Sequence, residues 1–185
     1  MGRATDGVIH ILNDNEEPVP TGVTGTVFFE SGSSFAYWND AEKTTASRSR
    51  QGWWTYGDIG HVDEEGYLYL TDRRDFTIIS GGVNIYPQEI EHVLLSDTRV
   101  LDAAVFGVPH EEYGESVYAV IQVERTPAEA DALAADLREL CREKLGPIRV
   151  PRTFSFVLDF PRLPTGKLRK KALREAVVEL IARTN

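Results

Sequence analysis

Residues 71–91 read "TDRRDFTIISGGVNIYPQEIE", and the way this stretch divides decides the fold. Asp72, Arg73, Arg74 and Asp75 put four charges in a row. A short apolar strand follows, then Gly81 and Gly82, then a helix with Pro87 in its first turn. The chain changes character across this run. What lies before it reads as β, and what lies after it alternates between helix and strand.

Before the boundary, "GVIHIL" (7–12) and "GTVFFES" (25–31) are rich in β-branched and aromatic residues, as strands are. Turn-forming residues fill the segment between them. "IGHVDEEGYLYLTD" (59–72) reads as a hairpin, with Ile59–Val62 and Tyr67–Leu70 joined across Asp63–Gly66. Phe35 to Gln51 is polar and reads as a surface connection.

After the boundary, "YPQEIEHVLLSD" (86–97) places Ile90, Val93 and Leu94 on one helical face. "VLDAAVFGVP" (100–109) and "SVYAVIQVE" (116–124) are apolar enough for central strands. Thr126-Pro127-Ala128-Glu129 has the form of a capping box, and the helix after it turns Leu133, Leu137, Leu140 and Cys141 inward. "RTFSFVLDF" (152–160) is a short strand. Leu168 to Ala182 is a last helix with Leu173, Val177 and Ile181 aligned. The expected fold class is α+β: a short β-rich piece over residues 1–74, then a small lid-sized α+β domain over 75–185 with a central sheet flanked by helices.

Composition narrows the function. The 185 residues carry a formal net charge of -9, which argues against nucleic acid as a partner. A single cysteine, Cys141, excludes an internal disulfide and fits a reducing, cytoplasmic setting. No histidines pair at ligand spacing, and no metal site is expected. No apolar run approaches the roughly 18 residues of a membrane span, and "MGRATDGVIH" lacks the apolar core of a secretory signal.

Against that acidity, Arg162 to Arg174 holds six basic residues and no acidic one. Lys167 follows Pro164-Thr165-Gly166, so it sits on a turn and can act as a point charge toward phosphate. Arg169, Lys170, Lys171 and Arg174 read most simply as a solvated helix face. Gly81-Gly82 can be a phosphate cradle at a helix start or a turn that needs positive φ. Asp58, in "TYGDIG", can accept two ribose hydroxyls or bond its own backbone. Arg73 can meet an anion or lie in solvent.

Order and spacing carry more than any single motif. "GWWTYGDIGHVDEEGYLYLTDRRDFTIISGGVNIYPQEIE" (52–91) followed by "LPTGKLRKKAL" (163–173) resembles the C-terminal third of adenylate-forming enzymes: acyl- and aryl-CoA synthetases, peptide-synthetase adenylation domains and luciferases. The resemblance runs from about Gly7 to the last helix. It implies an enzyme that joins a carboxylic acid to ATP as an acyl-adenylate, turns its small C-terminal domain as a lid, and passes the acyl group to a thiol. Asp58 and Arg73 are then expected on the AMP ribose, Asp75 at the hinge, and Gly81 and Gly82 along the pantetheine channel. Lys167 is expected on the α-phosphate and carboxylate. Tyr56 stands where the family usually has threonine or serine.

"ISGGVNIYPQEIE" resembles CoA ligases more than peptide-synthetase adenylation domains, so CoA is the expected acceptor and a carrier protein the alternative. "ESGSSF" (30–35) is too short for the family's phosphate loop and lacks its lysine. The carboxylate pocket and the Mg²⁺-binding glutamate also belong to the family's large N-terminal domain. The chain alone is therefore expected to be inactive, its partner being that large domain. A binding or regulatory module derived from the lid is the alternative of another class. Apolar surface on the β piece is expected to drive homodimerisation.

Overall fold

The computed structural model describes residues 2–30, 35–125 and 130–184; the capping box at 126–129 lies outside them. Two compact units are formed, Met1–Asp75 and Phe76–Asn185.

The first unit holds β1 (Val8–Leu12), β2 (Gly25–Glu30), a short helix α1 (Ala41–Ala46), β3 (Asp58–Val62) and β4 (Leu68–Arg73). Its four strands form one antiparallel sheet in the order β1-β2-β3-β4. The β3–β4 hairpin closes as the sequence suggests, because the Asp63 carboxylate accepts the N–H groups of Glu65 and Tyr67 at 3.0 and 2.8 Å. A register shift at Ile59/Gly60 bends the pair. A Cβ on Gly60 would lie 2.3 Å from the Tyr69 carbonyl oxygen, so that crossing needs glycine.

The segment 35–51 is not merely a connection. It contains α1, whose N-cap Asp40 accepts the Lys43 N–H at 2.9 Å. The helix buries no residue of its own, so no apolar periodicity announced it. Ser47 and Ser49, just past its end, are nevertheless buried.

The second unit holds β5 (Ile78–Ser80), β6 (Val83–Ile85), α2 (Pro87–Leu94), β7 (Asp102–His110), β8 (Gly114–Gln122), α3 (Ala130–Leu145), β9 (Thr153–Val157) and α4 (Lys170–Thr184). Its sheet runs β6-β5-β8-β7, and β9 joins β8 in parallel. Side chains alternate across β7 and β8, as the period of two requires. Ala103, Val105, Val117, Ala119 and Ile121 face α2 and α3, where Ile90, Leu94, Leu133, Leu137 and Cys141 meet them. Ala104, Phe106, Val108, Tyr118 and Val120 face α4 through Leu173, Val177 and Ile181. The sheet is thus covered on both faces, giving an α+β sandwich. Helix α4 begins at Lys170 and not at Leu168, because Leu168 is held in a bridge with Arg162.

Candidate functional site

Asp58 and Arg73 face each other as a cross-strand pair at the start of β3 and the end of β4. Arg73 Nε lies 3.1 Å from Asp58 Oδ1. Local geometry sets this pair. Buried Thr55 donates its hydroxyl to the Val27 carbonyl at 2.6 Å and accepts the Gly57 N–H at 2.9 Å. Gly57 takes φ +80 and its carbonyl accepts the Arg74 N–H at 2.7 Å. The turn that delivers Asp58 is therefore tied at both ends.

Asp58, Arg73 and Asp75 share one cleft of about 480 Å³, together with Tyr56, Lys43 and Tyr37. Its charges are mixed, two acids against Lys43, Arg73 and Arg74, which suits a ligand with both hydroxyls and phosphate. The Tyr56 ring lies 4.8 Å from Trp54 and 5.0 Å from Phe35, so this tyrosine extends an aromatic wall. Lys43 and Tyr37 were not anticipated from sequence. They enter through α1, and the Lys43 ammonium sits 4.4 Å from the Tyr37 ring centre.

Gly81 and Gly82 form the two-residue turn between β5 and β6 at φ +57 and +79. Both values demand glycine. Helix α2 starts only at Pro87, behind the N-cap Tyr86, so the glycines make a hairpin and not a helix-start phosphate cradle. The Gly81 N–H is donated to the Tyr113 carbonyl at 2.9 Å. Beside the hairpin is a hollow of about 600 Å³ lined by Gly81, Tyr113, Arg138, Arg142 and Arg152 among others. Arg138 and Arg142 are one turn apart on the polar face of α3, a spacing visible in the sequence.

Lys167 is exposed on a separate turn. The Leu163 N–H is donated to the Lys167 carbonyl and the Gly166 N–H to the Leu163 carbonyl, both at 2.8 Å. Gly166 sits at φ +83. The Arg162 guanidinium straddles the turn, donating to the Gly166 carbonyl at 3.1 Å and to the Asp102 carboxylate.

The basic run is not a uniform solvated face. Lys170 is mostly buried, with Nζ 2.6 Å from Glu91 Oε1 and 5.2 Å from the Phe76 ring centre. Arg174 donates to Glu115 at 2.9 Å and to the Gly107 carbonyl at 2.8 Å. Periodicity could not show this, because the partner acids lie 59 to 79 residues away in sequence.

Residues 89–167 match the AMP-binding enzyme C-terminal domain. The chain belongs with the C-terminal portion of the adenylate-forming enzymes. It is 39% identical over 167 residues to the 2-succinylbenzoate–CoA ligase of Geobacillus kaustophilus, covering 90% of this chain and 33% of that protein. It is 40% identical over 139 residues to the long-chain-fatty-acid–CoA ligase FadD13 of Mycobacterium tuberculosis, covering 75% and 27%. Among solved structures, ATP-bound MatB from Rhodopseudomonas palustris superposes with TM-score 0.84 at 30% identity, covering 97% of this chain and 36% of that one. The chain thus spans about a third of the length of the relatives it matches.

Proposed function

We propose that this adenylate-forming chain is the C-terminal third of an acid–thiol ligase, which activates a carboxylic acid with ATP and passes the acyl group to CoA. The observation that carries the reading is Lys167. It stands exposed on a braced turn while its basic neighbours Arg162, Lys170 and Arg174 are taken up by acids of the fold. A cation held out on a braced turn, with exposed Arg169 and Lys171 following it, suits a phosphate and a carboxylate that gather negative charge together in the transition state.

In this reading residues 1–74 are the end of the nucleotide-binding domain and 75–185 are the lid. Asp58 accepts the ribose hydroxyls, Arg73 orients Asp58 and reaches the same sugar, and Tyr56 extends the cleft wall. Asp75 is the hinge; the unit boundary between Asp75 and Phe76 supports that role. The backbone turn at Gly81-Gly82 leaves room for a pantetheine arm, and the arginines of the neighbouring hollow suit the phosphates of CoA. ATP and CoA are substrates. Mg²⁺, the acid pocket and the phosphate loop come from the large domain, and the reaction is cytoplasmic. Among the described residues no helix is long and apolar enough to cross a membrane.

The test is acid-dependent ATP–pyrophosphate exchange, run on the 185-residue chain and on the chain joined to its large domain, followed by thioester formation with CoA. Exchange and thioester are expected only with the large domain present. Exchange by the 185 residues alone would overturn the reading.

A further inference from the structure

The sequence presents Arg162, Lys170 and Arg174 as members of one basic run, but each meets an acid on a different element. Arg162 bonds Asp102 at the start of β7, Lys170 bonds Glu91 on α2 and Arg174 bonds Glu115 on β8. Two of these cations flank Lys167 closely, five residues before it and three residues after it. Arg162 also caps the turn itself through the Gly166 carbonyl. Lys170 also lies over Phe76, the first residue of the second unit.

The acids are fixed from behind. Glu91 Oε1 accepts the Val105 N–H at 2.7 Å, and Asp102 Oδ1 accepts the Ala103 N–H at 2.8 Å. Each pair therefore runs from the basic run to a backbone amide of β7, the strand buried on both faces. A turn made of proline, threonine and glycine has little packing of its own, since residues 161–167 are all exposed. Besides its own backbone bonds and the Arg162–Leu168 bridge, the turn is bracketed by these two ion pairs.

We infer that Asp102–Arg162 and Glu91–Lys170 form a two-point clamp that positions Lys167 for adenylation, so that Glu91 and Asp102 are positioning residues for a reaction they do not touch. This rests on the role given to Lys167 above. The clamp has a mechanical consequence. Phe76 leaves the unit boundary beneath the Lys170 ammonium, so the first residue past Asp75 and the start of α4 are held by one cation.

The acids, not the cations, are the groups to change, because a cation removed here could itself have been a phosphate ligand. Glu91→Gln and Asp102→Asn keep an oxygen for the Val105 and Ala103 N–H groups and remove only the charge. In the 185-residue chain, amide hydrogen exchange over residues 163–167 is expected to speed up about tenfold in each variant. In the enzyme with its large domain, ATP–pyrophosphate exchange is expected to lose about 10- to 100-fold in kcat, as a misplaced catalytic group does. The ATP KM should stay within about twofold, which separates positioning from binding. Unchanged amide exchange in both variants would overturn the clamp. A lower ATP KM with kcat intact would overturn it too, because Arg162 and Lys170 would then be free phosphate ligands restrained by the acids. Faster amide exchange with wild-type kcat would also overturn it. Lys167→Ala runs beside them: if that variant keeps its exchange activity, the reading of Lys167 fails instead.

Discussion

In residues 76–185 the strands β7 and β8 are covered on both faces and feed two separate apolar clusters. In residues 1–75 the four-stranded sheet buries Leu12, Val27, Phe28 and Ile59 among its described residues, while Val8, Leu70 and Tyr56 stay about half exposed. The two units get their stability from different sources. The second unit is closed by its own helices. The first is held by hairpin geometry, by caps such as Asp40 and Asp63, and by an aromatic group around Trp54. Strand register sets the Asp58–Arg73 pair, whereas the Lys167 turn is bracketed by two ion pairs and a backbone bridge.

The largest expected effect breaks this comparison outright. Residues 76–185 expressed alone should melt cooperatively by circular dichroism, and residues 1–75 alone should show no cooperative transition, because a sheet with one thin core is marginal. Two equally sharp transitions would refute the contrast.

A smaller effect sharpens it. Leu137 is fully buried between α3 and the sheet, so Leu137→Ala should destabilise the second unit by about 2–5 kcal/mol in urea melts. The fluorescence of the tryptophans, all at or before Trp54, should keep its midpoint if the units melt separately.

The smallest effect concerns Cys141. Burial pushes its thiol up to about 11. The folded state thus favours the neutral thiol, and its contribution is complete below the ordinary thiol pKa and is lost as pH rises from about 9 toward 11. Alkylation at pH 8 should therefore be slow in the folded chain and fast in urea; rapid folded-state labelling would show that α3 is not packed.

Much of this was legible in residues 71–91 and in the apolar periods. The β-to-α+β change, the inward faces of α2, α3 and α4, and the turn at Lys167 all follow from local pattern. What escaped was non-local or polar. Helix α1 has no apolar stripe, so Lys43 and Tyr37 could not be placed beside Asp58. Lys170 and Arg174 looked like solvated charge because their acids are far along the chain. Of the two readings open for Gly81 and Gly82, the structure shows the positive-φ turn, which makes a hairpin and not a helix start.

In the proposed function Lys167 acts in acyl-adenylate formation and not in the thiol step. The direct measurement is a comparison of half-reactions for Lys167→Ala in the enzyme with its large domain. The expected result is a loss on the order of 10² to 10³ in acid-dependent ATP–pyrophosphate exchange, with thioester formation from a supplied acyl-adenylate left near the wild-type rate. Equal losses in both steps, or no loss in exchange, would contradict it.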